Sequence, residues 1–318
     1  MKKIKIILVI LVSAFSLNKA EAGISGNVTP SEGTISISGA FALYPMVVKW
    51  ADEYQKLHPD IRIDISAGGA GKGMVDALSG MVDLGMVSRE IYPQEIKKGA
   101  FYIAVTKDAV VPTISAKNPV LKDILAKGIK KTAFVNAFVT GTAKTWGQMA
   151  GVKNTSVLHV YSRSDACGAG ETWAKYLGKK QEDLLGVGVF GDPGLATAVK
   201  EDPLAIGYNN IAYAYDSKTK KQNPGIRIAP IDINKNGKLD PEENFYGTID
   251  EIVNAIATNK YPSPPARDLY LVSKGKPTNK AVIDFMKWIL TDGQKFVHNA
   301  GYITLSNEKI QGELNKLK

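Results

Sequence analysis

The chain has 318 residues, 44% of them hydrophobic and 22% charged, the balance of an ordinary globular protein. Its formal net charge of +9 at pH 7 comes from scattered basic residues, which describes solvated faces and excludes a basic nucleic-acid arm. A single cysteine, Cys167, excludes an intrachain disulfide, so stability has to come from packing.

At the N-terminus, Lys2, Lys3 and Lys5 precede an unbroken apolar run from Ile6 to Val12. Ala20-Glu21-Ala22 then sets small residues at both positions that a signal peptidase reads. Residues 1–22 read as a cleaved secretory signal peptide. The run is too short for a membrane span, which needs about 20 apolar residues. No cysteine stands near the cleavage site to carry a lipid anchor. The expectation is a soluble periplasmic protein that begins near Gly23. Cleavage takes four lysines and one glutamate from the total of +9 and leaves +6. The remaining length of about 296 residues exceeds a usual single core and points to two lobes.

Three segments share one grammar: an alternating strand, a stretch of small residues, then an amphipathic helix. In the first, Ile35 and Ile37 alternate with Thr34, Ser36 and Ser38. Gly39-Ala40-Phe41-Ala42 follows, Pro45 sits where a first-turn proline is tolerated, and Met46, Trp50, Tyr54 and Leu57 make the buried face. In the second, Ile61, Ile63 and Ile65 alternate, and Ala67-Gly68-Gly69-Ala70-Gly71 leads into a helix with Met74, Ala77, Leu78 and Met81. The third runs from Val157 to Tyr161, through Arg163-Ser164-Asp165-Ala166-Cys167-Gly168-Ala169, into a helix carrying Trp173, Tyr176 and Leu177.

Repeated strand–helix units predict an α/β fold with mostly parallel sheets. Ligands in such folds bind at the carboxyl ends of strands, where helix N-termini offer unpaired N–H groups and partial positive charge. Small residues allow tight turns in any case, but three such turns, one holding Arg163, point to an anion site. Further on, Ile226 to Ile231 and Ala205-Ile206-Gly207-Tyr208 read as strands, and Tyr261-Pro262-Ser263-Pro264-Pro265 is a break. A strand from Leu269 to Val272 follows, then a helix packing Val282, Phe285, Met286 and Ile289. Trp50, Trp173 and Trp288 fall on apolar helix faces and are expected in the core.

Taken in order, these segments resemble the phosphate-binding proteins of phosphate ABC transporters, with their type II periplasmic-binding-protein fold. The likeness covers nearly all of the mature chain. It is carried by Gly39 to Trp50, Gly68-Gly69-Ala70-Gly71-Lys72-Gly73, Asp83-Leu84-Gly85-Met86-Val87-Ser88-Arg89, Gly141 to Trp146, Arg163-Ser164-Asp165, Ala205 to Tyr208, and Pro265-Ala266-Arg267-Asp268-Leu269-Tyr270. The resemblance implies two α/β lobes joined by two crossovers and closing on a ligand cleft. It places residues 23–111 and 263–318 in lobe 1 and residues 112–262 in lobe 2, with crossings near Val111 and Pro262. It also implies a monomer that hands its ligand to an ABC permease, with no enzymatic activity.

Carried over residue by residue, the ligand set is Phe41, Ala42, Ala70, Ser88, Arg163, Asp165, Cys167, Gly168 and Ala169. Several of these depart from the family. Phe41 stands where Ser or Thr is common, Ala70 where a Ser is usual, and Ser88 where many members have an Asp that accepts the proton of hydrogen phosphate. The third turn, usually Arg-x-Asp-Gly-Ser-Gly-Thr, carries Cys167 and Ala169 in place of its Ser and Thr. A hydrogen bond to a charged group contributes about 1.5–3 kcal/mol, so lost hydroxyls cost orders of magnitude unless backbone N–H groups replace them. Phosphate is the first candidate ligand; a larger or less protonated oxyanion, or a phosphate ester, is the alternative.

Asp232-Ile233-Asn234-Lys235-Asn236-Gly237-Lys238-Leu239-Asp240-Pro241-Glu242-Glu243 fits the calcium-loop pattern D-x-[DN]-x-[DN]-G-x5-E. Asp232, Asn234 and Asn236 would give side-chain oxygens, Lys238 its carbonyl, Asp240 a water-mediated contact and Glu243 a bidentate carboxylate. Leu239 would be the loop's apolar contact, and Asp240-Pro241 would cap an exiting helix. A polar hairpin around Asn236-Gly237 is the plainer reading.

Gly71-Lys72-Gly73 lacks the remaining features of a P-loop. Cys167 and the three histidines, His58, His159 and His298, show no Cys–His spacing, which argues against an enzyme. The competing reading is a calcium-stabilised adhesion or signalling protein that reuses the binding-protein fold without transport.

Overall fold

Ile35 and Ile37 bury their side chains completely or nearly so in the first strand, β1 (Thr34–Gly39), and the computed structural model describes residues 33 to 318. The signal-peptide reading of residues 1–22 lies outside them. Four more elements follow: α1 (Tyr44–Leu57), β2 (Arg62–Ala67), α2 (Ala70–Ser79) and β3 (Leu84–Val87). A short helix, α3 (Pro93–Lys97), then leads to the 16-residue strand β4 (Ala100–Ser115).

Next come α4 (Leu121–Lys127), β5 (Ile129–Lys130), α5 (Lys131–Phe138), α6 (Trp146–Ala150), β6 (His159–Arg163) and α7 (Gly168–Tyr176). They are followed by β7 (Val187–Val189), α8 (Gly191–Glu201), β8 (Ala205–Asn210) and α9 (Ile211–Ala214). The strands β9 (Ile226–Ile228) and β10 (Ile231–Asp232) precede α10 (Ile249–Ala257). The chain returns through β11 (Ala266–Lys274), α11 (Lys280–Leu290) and α12 (Asn307–Lys316).

The main sheet has the order β2-β1-β3-β11-β4-β8-β6-β7, with β9 also on β4. Pairs β1–β2, β1–β3, β6–β7 and β6–β8 are parallel, while β11 and β4 run antiparallel to their neighbours. The length of β4 explains how one sheet serves two lobes. Its first part, Ala100 to Ala109, pairs with β11, and Val110 to Ser115 pairs with β8 and β9. The buried apolar residues accordingly form two cores. One runs from Ile35 to Val105 and resumes at Leu269; the other runs from Ala109 to Ala266 and takes in Ile303. This is a mixed α/β, two-lobed fold whose chain passes between the cores twice.

Trp50, Trp173 and Trp288 are core residues, at 0%, 0% and 8% exposure. Four local expectations need correction. Leu57, at the last turn of α1, is 63% exposed, and Met81 is 73% exposed because α2 stops at Ser79 with Gly80 in the left-handed conformation. The strand expected over Ile226 to Ile231 is interrupted at Ala229-Pro230, because proline removes a ladder donor. No helix leaves the 232–243 loop: residues 241–243 form a turn, and α10 starts only at Ile249.

Candidate functional site

The three small-residue turns meet. Gly69 caps α2 with φ 92°, a backbone that disfavours any side chain, and a Cβ there would also stand 2.9 Å from the Asp165 carboxylate. Gly71 N–H donates to the Ala166 carbonyl at 3.2 Å, so the turn before α2 and the turn before α7 touch directly across the two lobes. Phe41 and Ala42 are anchored through their carbonyls, which accept from Tyr213 Oη at 3.1 Å and Tyr302 Oη at 2.7 Å. Gly168 backs onto Ser88, where a Cβ would collide with the Ser88 carbonyl and hydroxyl.

Arg163 ends β6 at the centre of this contact, its side chain wholly buried. Nε and Nη2 donate to the two Asp165 oxygens at 2.8 and 2.6 Å, and Nη1 donates to Asp192. Burial alone would lower its pKa, but Asp192 foremost, with Asp165, raises it, so the guanidinium is permanently charged. The Phe41 ring lies 5.5 Å from the guanidinium carbon and meets Phe190 edge-on at 5.9 Å. Phe41 therefore covers the arginine with an aromatic face.

Cys167 is the N-cap of α7, its sulfur accepting from Gly170 N–H at 3.2 Å, as a serine hydroxyl would. Burial pushes its thiol up to about 12, so it stays protonated and is not an activated nucleophile. Helix N-termini leave their first N–H groups unsatisfied. Among the described residues, no protein acceptor meets the N–H groups of Ala42, Ala70, Gly168 and Ala169. These residues are 1% exposed at Ala42, Ala70 and Ala169, and Gly168 is buried with them. Buried N–H groups without partners are rare in folded proteins, and here they come from three helix entrances around one arginine.

All nine residues expected to hold the ligand thus lie on these turns or against them, with Ser88 at 2% exposure facing α7. Sequence reasoning missed Asp192, 1% exposed at the start of α8, where Val187-Gly188-Val189 then Gly191-Asp192-Pro193 repeats the strand–turn–helix grammar a fourth time. It also gave no role to Arg267. That side chain donates to the Gly168 carbonyl at 2.6 Å, to Asp108 at 3.0 Å and to Asn210, tying β11 to the entrance of α7. Burial pushes Asp108 up to about 6, against the pull of Arg267.

A second set of contacts joins the lobes beside the turns. Arg89 Nε lies 3.2 Å from Glu171, Tyr92 Oη donates to the same carboxylate, and Lys175 pairs with Glu90. These side chains border a cavity of about 1020 Å³, which Lys107, Arg267 and Tyr270 also line. The buried Arg163 site is separate from it and is the more constructed of the two. Among the described residues, no helix is long and apolar enough to cross a membrane.

A family model of the PBP superfamily domain matches residues 26–293, and the chain belongs to that superfamily. It is similar to the phosphate-binding protein PstS of Bacillus subtilis (strain 168), 28% identical across 99% of both chains. PstS of Methanocaldococcus jannaschii is 25% identical over 92% of this chain and 87% of that relative. Among solved structures, a Clostridium perfringens protein with bound phosphate matches with a TM-score of 0.70 and 21% identity, covering 86% of this chain and all of that one. An ABC-type phosphate transport receptor from Vibrio cholerae gives 0.62 and 17%, over 85% of this chain and all of that one.

Proposed function

We propose that this PBP-superfamily protein is the substrate-binding protein of an ABC importer, capturing phosphate or a closely related tetrahedral oxyanion and delivering it to a permease. The observation that carries the reading is the set of buried, unpartnered N–H groups at the entrances of α1, α2 and α7 around Arg163. Asp165 and Asp192 together more than balance the charge of Arg163, so the attraction for an anion comes from the N–H dipoles of the helix entrances and the remaining guanidinium donors. The PstS relatives, aligned over nearly the whole chain, support the same ligand class. They give no support to an adhesion or signalling protein.

In this reading residues 1–22 are a cleaved signal peptide and the protein works as a monomer in the periplasm. Residues 23–111 and 263–318 make lobe 1 and residues 112–262 make lobe 2. No bond is made or broken: the buried Cys167 thiol has no reactive form near neutral pH, and binding is the whole of the chemistry.

The test removes one backbone donor. Ala70 is the first residue of α2, where proline is tolerated, and Gly69 before it has ψ 158°, compatible with a following proline. Ala70→Pro deletes the N–H and sets a ring carbon where the anion would sit. Calorimetric titration with phosphate, arsenate, sulfate, molybdate and simple phosphate esters should show phosphate as the tightest ligand of the unaltered protein. The variant should bind it about 10- to 100-fold more weakly. Unchanged affinity in Ala70→Pro, or no binding of any oxyanion by the unaltered protein, would remove the assignment.

A further inference from the structure

We propose that the loop from Asp232 to Glu243 is a calcium site of the second lobe, independent of the anion cleft. Two carboxylates mark its ends, both buried: Asp232 is 1% exposed and Glu243 is 6% exposed. One oxygen of each is used by the loop itself. Asp232 Oδ2 accepts from Gly237 N–H at 2.9 Å, and Glu243 Oε1 accepts from Asn234 N–H at 2.7 Å. Both carboxylates therefore face into the loop. Their other oxygens, Asp232 Oδ1 and Glu243 Oε2, are buried and have no hydrogen-bond partner.

A buried carboxylate oxygen left unmade is costly, and two of them at the first and twelfth positions of one loop are not accounted for by a polar hairpin. The Lys130 ammonium approaches the Gly237 side of the loop but forms no ion pair with either acid. A hard divalent cation would satisfy both oxygens together.

The remaining donors are largely neutral. Asn234 and Asn236 hold the turn by accepting, through Oδ1, from Asn236 and Lys238 N–H at 3.0 and 2.8 Å. Asp240 Oδ2 accepts from the side-chain amides of Asn234 and Asn236 at 2.7 and 2.6 Å, the ninth-position place that reaches a metal through water. Among the described residues no three acidic, histidine or cysteine side chains gather as a metal centre. The site is thus two carboxylates supplemented by amide and carbonyl oxygens. That donor set favours calcium over magnesium, which demands tighter octahedral geometry, and it places the dissociation constant at roughly 10⁻⁴–10⁻³ M. Leu239 packs against the second core and its N–H donates to the Ala126 carbonyl at 3.1 Å, so an ordered loop would brace the end of α4.

The experiment titrates the purified protein, residues 23–318, with calcium chloride by calorimetry and records melting curves in chelator, about 10 mM calcium and about 10 mM magnesium. One saturable heat in the stated range is expected, with a melting rise on the order of 5 °C in calcium and less in magnesium. Glu243→Gln should abolish both responses. Asn236→Asp, which adds an anionic oxygen in exchange for the amide's bond to Asp240, should tighten calcium binding severalfold and keeps the test decisive if Glu243→Gln folds poorly. A protein that shows neither heat nor a melting shift up to about 10 mM calcium refutes the site. So does a calcium response that neither substitution alters.

Discussion

Replacing Arg163 by methionine tests the proposed anion site, in which the guanidinium would hold the ligand as well as pair two buried carboxylates. Three of its five N–H donors are committed, two to Asp165 and one to Asp192, which leaves two for a ligand. Arg163→Met removes those two bonds, each contributing about 1.5–3 kcal/mol to a charged partner. Phosphate affinity should fall by roughly 10² to 10⁴. The substitution also strands two carboxylates whose side chains are only 9% and 1% exposed. Breaking a buried pair by removing one partner costs about 3–5 kcal/mol, which lowers the melting temperature by on the order of 10 °C in a chain of this size. Adding Asp192→Asn removes one stranded charge while keeping an oxygen for the Asn210 N–H that Asp192 accepts at 3.1 Å. The double variant should regain part of the lost stability and none of the binding. Thermal denaturation and phosphate calorimetry on the three proteins read both effects. A single variant that melts within 2 °C of the parent, or a double variant that binds phosphate normally, refutes the reasoning.

Asp108 gives a pH signature. Burial pushes it from 3.8 up to about 6, so between these values the folded protein holds a proton that the unfolded chain has lost. Stability should be highest below this window and fall as pH rises through it, by up to roughly 3 kcal/mol from this group. Urea midpoints at pH 4 and pH 6.5 should differ less in Asp108→Asn, and an equal difference in both proteins would remove Asp108 as the cause. The lobe-joining contacts give a second expectation: Glu171→Gln weakens the pairing with Arg89 and Tyr92 and should reduce anion affinity by about two- to fivefold. Stopped-flow measurement should place the change in the dissociation rate, and an unaltered rate would show that these contacts do not retain the ligand.

The local grammar of strand, small residues and helix is why the three turns were legible. Ile35, Ile37, Ile63, Trp50 and Trp173 are periodic in the sequence and buried in the fold. Arg163 and Asp165 stand two positions apart, so their pairing follows from proximity. Asp192 is 29 residues from the arginine it meets, and Arg267 is 159 from Asp108. No spacing rule reports partners brought together by strand order. The fourth turn was obscured because β7, Val187–Val189, has only three residues, too few for strand alternation to register. Leu57 and Met81 show the opposite error: apolar periodicity ran to the exposed last residue of α1 and past the end of α2 at Ser79.

If Ser88 lines the proposed anion site, it changes what selectivity that site can have, because the resemblance sets it where many members carry a proton-accepting aspartate. A carboxylate at that place rejects a fully ionised oxyanion, because two negative groups face each other with no proton between them, and it rewards an anion that carries one. A hydroxyl both donates and accepts, so Ser88 imposes no such penalty. The other groups around the cleft do not restore it: Asp165 is turned onto Arg163, and the Asp192 oxygens are taken by Arg163 and the Asn210 N–H. In the proposed site, discrimination among tetrahedral anions would therefore rest on size and on the reach of the N–H groups at Ala42, Ala70, Gly168 and Ala169, and not on protonation state. The affinity ratio of phosphate to sulfate should accordingly be smaller than in a site that keeps the aspartate, and the same calorimetric panel that tests the ligand class measures it.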